Sequence, residues 1–214
     1  MDSKLSGMAL ELRDIAKRFG RHWVLTSVNF DLRRGDSLVL YGSNGSGKTT
    51  LLRILAGSLK ANSGEGRIFG YDLFDGGAVR EHAHFIGHQQ GLYADLTVEE
   101  NLKFATSMYN VGTTGIPQCL DKVGLSHARH KRVRELSAGM RKRAVLGRML
   151  LVPSPLLLLD EPFANLDTDG KQLAQDLLIG EREKGRTLVI SSHEPQWASA
   201  LGTHFVTLNN GRLT

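Results

Sequence analysis

A glycine-rich segment, Gly42-Ser43-Asn44-Gly45-Ser46-Gly47-Lys48-Thr49, lies between two apolar runs and restricts the fold more than any other feature of the chain. The preceding run, residues 37–41, has the composition of a buried strand. The following run has leucines at positions 51, 52 and 55, the spacing of a helix with one buried face. The segment itself has two glycines separated by four residues, then lysine, then a hydroxyl residue, which is the pattern of a phosphate-binding loop. The sequence therefore predicts a strand, a phosphate-binding loop and a helix, in that order.

The chemistry of this loop depends on its backbone and on two side chains. Glycines let successive N–H groups turn toward bound phosphates at a helix N-terminus. Lys48 can reach the terminal phosphates of a nucleotide, and the Thr49 hydroxyl can coordinate Mg²⁺. The alternative is a glycine-rich turn in a sugar- or dinucleotide-binding protein, but the strand before the segment and the helix after it favour the phosphate-binding loop.

Strand and helix patterns alternate along the rest of the chain. Strands are predicted at 9–15, 27–32, 37–41, 64–70, 84–87, 156–159, 187–191, 204–208 and 211–214, and helices at 49–55, 97–109, 117–124, 137–151 and 168–184. The central strands are apolar throughout, as expected for strands that are buried on both faces. The predicted fold class is therefore α/β, with a mostly parallel sheet covered by helices.

Composition limits the cellular setting more than the function. A chain of 214 residues can bury a core without disulfides, and its one cysteine, Cys119, excludes an internal disulfide framework and favours a reducing compartment. No run of about 18 apolar residues is present, so neither a membrane span nor a signal peptide is expected. The net charge of +5 suits an anionic ligand, a lipid surface or nucleic acid, and does not choose among them.

Two acidic residues follow the leucine run 156–159. Asp160 is placed at the end of a predicted buried strand, where an acidic ligand of nucleotide-bound Mg²⁺ is expected. Glu161 comes one residue later and is placed to orient or deprotonate an attacking water. The alternative is a strand that ends in two solvated acids, which the phosphate-binding loop makes the weaker interpretation.

A third motif identifies a family. Leu136-Ser137-Ala138-Gly139-Met140 is similar to the Leu-Ser-Gly-Gly-Gln signature of ABC transporters, from which Ala138 and Met140 depart. With the two motifs above, essentially the whole chain resembles the nucleotide-binding subunit of an ABC transporter. The resemblance implies a phosphate-loop NTPase core, an antiparallel β subdomain and a helical subdomain at about 91–152, within a single nucleotide-binding domain over 1–214. It also implies ATP and Mg²⁺ as cofactors and ATP hydrolysis as the activity.

The resemblance assigns roles to individual residues. Nucleotide-binding residues would be Phe19, Gly42, Ser43, Asn44, Gly45, Ser46, Gly47, Lys48, Thr49, Thr50, Ser137, Gly139 and Asp167. Catalytic residues would be Lys48, Gln89, Glu161 and His193, and metal ligands would be Thr49, Gln89 and Asp160. Gln90 is a weaker candidate than Gln89 because the residues that follow align best with Gln89. Phe19 would stack on adenine; the alternative is a phenylalanine that packs in the core at the end of a strand. For His193, the alternative is a purely structural role.

Several of these roles need a partner. Ser137 and Gly139 would face the γ-phosphate held by the opposite subunit of a head-to-tail dimer, and Asp167 would lie in the loop that crosses to that subunit. A homodimer is therefore expected. Residues 89–96 would receive a cytoplasmic helix of an integral membrane subunit, the alternative being a surface loop whose Leu92 and Tyr93 pack on the helices. The protein is expected to be peripheral, at the cytoplasmic face of the inner or plasma membrane.

A narrower resemblance concerns the cargo. Gly87-His88-Gln89, Asp160-Glu161-Pro162-Phe163 and Asp169-Gly170, with the signature segment, are similar to the haem-exporter ATPases of bacterial cytochrome c maturation. The alternatives are exporters of lipids, drugs or polysaccharides and, less favoured, a soluble ABC-type ATPase that acts on nucleic acid. The basic stretch 129–143 has no interleaved aromatic residues, so no nucleic acid partner is expected.

Overall fold

The computed structural model describes residues 7–87 and 91–214. The strands are β1 Met8–Phe19, β2 His22–Arg33, β3 Ser37–Tyr41, β4 Ser63–Ile68, β5 Tyr71–Asp72, β6 Ala83–Ile86, β7 Leu156–Asp160, β8 Thr187–Ser191, β9 His204–Asn209 and β10 Arg212–Leu213. The helices are α1 Lys48–Leu55, α2 Gly76–His82, α3 Val98–Met108, α4 Ile116–Lys122, α5 Ala138–Leu151, α6 Thr168–Glu183 and α7 Pro195–Ala198. None of these helices is both long enough and apolar enough to cross a bilayer.

The larger of two sheets has six strands in the order β10-β9-β3-β8-β7-β6. Every neighbouring pair is parallel except the β9–β10 hairpin. All residues of β7 and β8 are buried, which explains their continuous apolar sequence. Alternate residues of β7 pack into different cores: Leu157 and Leu159 face the core with α5 and α6, while Leu156 and Leu158 face the core with α1. The predicted α/β architecture with a mostly parallel sheet is confirmed.

The second sheet is antiparallel, with the order β2-β1-β4-β5, and it shares its core with α1. Strand β1 has an irregularity at Asp14, which has φ of 51°, and continues to Phe19, beyond its predicted end at 15, because residues 15–19 still pair with β2. The Asp14 carboxylate accepts hydrogen bonds from Ser27 and Asn29 on β2 and so stabilises this irregularity. The single strand predicted at 64–70 is instead β4, a turn and β5, since Phe69 and Gly70 both have positive φ.

Helices α3, α4 and α5 occupy the region predicted as a helical subdomain, whose bounds stay a prediction. Helix α3 begins at the predicted position, where Thr97 and Glu100 form a reciprocal capping box. Two side chains attach the segment before this helix to its neighbours: Asn101 of α3 hydrogen-bonds both backbone groups of Tyr93, and Arg148 of α5 donates to the Gly91 carbonyl. The sequence did not predict α2, which begins with two glycines and depends on Asp75 as its N-cap.

Candidate active site

The glycine-rich segment forms a tight turn between β3 and α1. A Cβ atom on Gly42 would lie 2.6 Å from the Leu208 carbonyl oxygen, so only glycine fits there. Gly47 is the N-cap of α1 with φ of 110°, and a Cβ atom on it would lie 3.0 Å from the Val24 carbonyl oxygen. No side chain of the described residues caps α1, so its first N–H groups remain available to an anion.

Lys48 lies across this turn. Its side chain is buried, and its Nζ donates to the carbonyl oxygens of Gly42 at 2.8 Å and Ser43 at 3.0 Å. Beside it is an open cavity of about 330 Å³. The cavity is lined by Val24, Asn44, Gly45, Gly47, Lys48, Thr49, Thr50, Asp160 and Glu161. Five residues of the phosphate-loop motif (Asn44, Gly45, Gly47, Lys48 and Thr49) therefore meet the two acidic residues at one cavity, and Gly42, Ser43 and Ser46 do not line it.

Two oxygen ligands suited to Mg²⁺ come together at this cavity. Thr49 Oγ1 donates to Asp160 Oδ2 at 2.7 Å, although the residues are 111 positions apart. Asp160 is only 3% exposed, and its Oδ1 accepts a hydrogen bond of 2.6 Å from Ser191 Oγ. Ser191 is the residue opposite Asp160 in the β7–β8 pairing. Sequence reasoning missed Ser191; the only available signal was a hydroxyl residue at the end of a buried strand.

Glu161 and His193 are in direct contact. Each follows the end of a parallel strand, and His193 Nδ1 lies 2.8 Å from Glu161 Oε2. Glu161 has φ of 50°, a left-handed conformation that costs a non-glycine residue about 1–3 kcal/mol. Its N–H donates to the Ser191 main-chain oxygen and hydroxyl, and its carbonyl oxygen accepts from Lys142 Nζ at 2.9 Å. Sequence reasoning also missed Lys142, which has no motif of its own.

The signature segment lies apart from this cavity in the same chain. Ser137 is exposed and is the N-cap of α5, with its Oγ accepting from the Met140 N–H. Gly139 lies beside Asn165, whose carbonyl oxygen would be 3.6 Å from a Cβ atom on Gly139. Asp167 caps α6 by accepting from the Gly170 N–H at 2.8 Å. None of Ser137, Gly139 and Asp167 lines the cavity beside the phosphate loop.

Phe19 is a further predicted residue that does not line the cavity. Phe19 ends β1, is 51% exposed and has the Lys17 ammonium 5.2 Å from its ring centroid. The ring is not in the core, so that alternative was wrong, and stacking of Phe19 on adenine stays a prediction. Val24, not Phe19, contacts the loop at Gly47. Gln89 and Gln90 lie outside the described residues.

Much of the basic stretch 129–143 is paired within the chain. Arg129 donates to both carboxylate oxygens of Glu99 at 2.7 Å, and these hydrogen bonds, with one from Lys103, hold the pKa of Glu99 at about 2. Arg134 pairs with Asp95 at 2.7 Å. The absence of a nucleic acid partner stays a prediction.

Comparisons with known proteins agree with this geometry. The family model described as ABC transporter matches residues 25–164. The cytochrome c biogenesis ATP-binding export protein CcmA of Xanthomonas axonopodis pv. citri (strain 306) is 38% identical over 200 residues, which are 93% of each chain. No single motif accounts for a match of that extent.

Solved structures give the same result. An ATP-binding subunit of an ABC transporter superposes with a TM-score of 0.88 and 29% identity, over 96% of this chain and 88% of that one. A dimeric ATP-binding cassette in a post-hydrolysis state, bound to ADP and Pi, gives a TM-score of 0.85 and 25% identity, over 95% and 96% of the two chains. This chain therefore belongs to the ABC transporter family and is one of its ATPases.

Proposed function

We propose that this chain is the ATP-hydrolysing subunit of an exporter that serves cytochrome c biogenesis, with haem as the cargo. The observation that carries the proposal is the 38% identity to the Xanthomonas export protein over 93% of both chains. The spermidine/putrescine import ATP-binding protein PotA of Spiroplasma citri also matches 95% of this chain at 34% identity, but the match covers only 60% of PotA, against 93% of the Xanthomonas protein. Within the transporter, the residues at the cavity would supply the chemistry of hydrolysis.

The donor set at the cavity fits Mg²⁺ bound to ATP. The Thr49 hydroxyl and the Asp160 carboxylate are hard oxygen ligands, already within hydrogen-bonding distance of each other. A bound Mg²⁺ would neutralise charge on the phosphates. Lys48 would place its ammonium on the β- and γ-phosphates, and Glu161 would orient water and accept its proton. His193, which contacts Glu161, would hydrogen-bond the γ-phosphate.

The site would be completed by a second copy of the chain. Ser137 and Gly139 lie at the exposed N-terminus of α5, away from the nucleotide cavity of their own subunit. A head-to-tail homodimer would bring this helix end to the γ-phosphate of the opposite subunit, where an N-terminus favours an anion. In the transporter, the dimer would lie at the cytoplasmic face of the inner or plasma membrane.

An apolar groove would receive the membrane subunit. The groove has a volume of about 540 Å³, and Leu92, Tyr93, Phe104 and Met108 are among its lining residues. Leu92 packs partly on the core, but Tyr93 is 54% exposed, with its ring edge-on to Phe104 at 4.9 Å between centroids. Around Tyr93, the backbone is therefore held by hydrogen bonds from α3 and α5, while the aromatic side chain is exposed. This combination suits a docked cytoplasmic helix.

Replacing Tyr93 with Glu tests the docking surface. We expect ATP affinity of the isolated subunit to stay within about twofold of wild type and co-purification with the membrane subunit to fall at least about 10-fold, because buried aromatic anchors contribute roughly 2 kcal/mol or more. The control is Phe205→Glu, at a similarly exposed aromatic residue on β9 outside the groove. Wild-type assembly and coupled transport in Tyr93→Glu would place the docking surface elsewhere.

Deleting the gene in its source organism tests the cargo. We expect loss of proteins that keep haem covalently attached on a denaturing gel, with rescue by wild type but not by Glu161→Gln. Purifying the subunit from native membranes should recover an integral membrane partner, identified by mass spectrometry. Normal haem attachment in the deletion strain would reject haem export and leave the ATPase assignment intact.

A further inference from the structure

Lys142 is a buried cation to which the proposed reaction assigns no role. The residue lies on α5, one turn after the helix begins, and is 4% exposed. Its Nζ donates to the main-chain carbonyl oxygen of Glu161 at 2.9 Å. Burial lowers the pKa of Lys142 to about 8, although the nearby carboxylates of Asp160 and Glu161 act in the opposite direction. A charged group buried in this way is costly to the fold, so a packing role alone does not explain it.

The acceptor of this hydrogen bond is unusual in its conformation. Glu161 is one of the few non-glycine residues of the described chain with positive φ, and such a conformation persists only where the surroundings hold it. Ser191 holds the N–H of Glu161 from the β8 side. Lys142 of α5 donates a hydrogen bond to the Glu161 carbonyl oxygen. The same oxygen accepts a longer hydrogen bond of 3.3 Å from the Ala164 N–H. The direction of the Glu161 side chain follows from these backbone contacts.

Helix α5 connects this contact to a distant surface. The helix begins at the Ser137 N-cap, which is exposed, and Lys142 is the point at which its next turn reaches the end of β7. A helix is stiff over one turn, so a displacement of its N-terminus is transmitted to Lys142 and from there to the Glu161 carbonyl.

We propose that Lys142 is a positioning residue for Glu161, holding its backbone in the left-handed conformation and connecting it to the helix that begins at Ser137. The proposal rests on the proposed role of Glu161 in hydrolysis. Lys142 does not touch substrate; it determines where the carboxylate is held. Contacts made at the start of α5 thereby reach the reacting centre of the same subunit.

Two substitutions separate the hydrogen bond from packing. Lys142→Met keeps an unbranched side chain that is one atom shorter and removes the donor, and Lys142→Gln, also one atom shorter, keeps an N–H donor without the charge. We expect Lys142→Met to lower kcat about 10- to 100-fold, because small displacements of a catalytic group have effects of that size, with KM for ATP within about twofold. Lys142→Gln should recover kcat to within about threefold of wild type.

The melting temperature separates a positioning role from a structural one, because loss of a structural contact would lower the melting temperature of Lys142→Met. Because Met removes a buried charge, we expect the melting temperature of Lys142→Met to lie within about 4 °C of wild type or above it. The control is Lys184→Met, which removes an exposed lysine paired with Glu181 at the far end of α6 and should leave kcat unchanged.

The outcomes distinguish this inference from the proposed function. Turnover by Glu161→Gln at the wild-type rate would reject the role of Glu161 itself. An inactive Glu161→Gln with Lys142→Met at the wild-type kcat would overturn only the positioning role. If Lys142→Met does not fold, Lys142→Leu takes its place: a loss of kcat of about 10-fold or more with unchanged ATP affinity supports the proposal, and kcat at the wild-type value overturns it.

Discussion

Glu161→Gln is expected to abolish most ATP hydrolysis while the protein still binds ATP. The amide keeps the shape of the side chain and cannot take a proton from water, and a general base contributes about 10²- to 10⁴-fold to a rate. The hydrogen bonds of the residue 161 backbone with Lys142 and Ser191 do not involve the Glu161 side chain and should persist. Unhydrolysed ATP should then accumulate a dimer, measured by size-exclusion chromatography with and without Mg-ATP.

The control for this variant is Glu183→Gln, which removes one exposed carboxylate at the end of α6. This substitution should leave turnover and oligomeric state unchanged. Two results would contradict the proposed arrangement: wild-type turnover by Glu161→Gln, or a monomer at saturating ATP.

Lys48→Ala should also lower ATP hydrolysis strongly, because it weakens the binding of the phosphates and leaves water activation by Glu161 in place. The substitution removes the ammonium that lies on the loop carbonyls of Gly42 and Ser43 and that is placed to meet the phosphates. Loss of a charge-assisted contact of this kind costs about 2–5 kcal/mol, so kcat/KM should fall at least about 30-fold. ATP affinity should fall as well, measured by isothermal titration.

The fold should survive this change. Lys48 itself lines an open cavity, so water can enter the space that its side chain leaves and hydrate the freed carbonyls, and circular dichroism should match wild type. Lys122→Ala, at an exposed lysine on α4, is the matched control. A folded Lys48→Ala protein with wild-type turnover would reject the assignment of the loop.

Contiguous motifs could be predicted from the sequence because their chemistry needs neighbouring residues. The phosphate loop requires glycines, lysine and a hydroxyl in one turn, and Asp160-Glu161 requires a buried strand just before it. Ser191 and Lys142 could not be found in this way. Each acts on Asp160 or Glu161 across the fold, and a lone serine or lysine carries no spacing that indicates such a contact.

Predictions of helices and strands from local sequence patterns also failed where a capping side chain or strand pairing outweighs the intrinsic preferences of the residues. Two glycines argue against a helix at α2, yet the Asp75 side chain accepts hydrogen bonds from Gly77 and Ala78 and starts it. The polar sequence after Ile15 argues for the end of a strand, yet β1 continues because it still pairs with β2 and β4. In both cases tertiary or capping contacts decide the structure, and residue preference alone does not.

The position of β3 in the sheet has a consequence for biosynthesis. This strand carries the phosphate loop, but its two neighbours are β8 and β9, so Leu38 pairs with Val189 on one side and His204 on the other. A ribosome makes residues 37–41 long before residues 187–191 and 204–209, which form the two partner strands. Until then the nascent chain holds an apolar strand with two open edges, which invites non-native pairing and engagement by chaperones. The phosphate loop can therefore reach its native position only after β8 and β9 have been made.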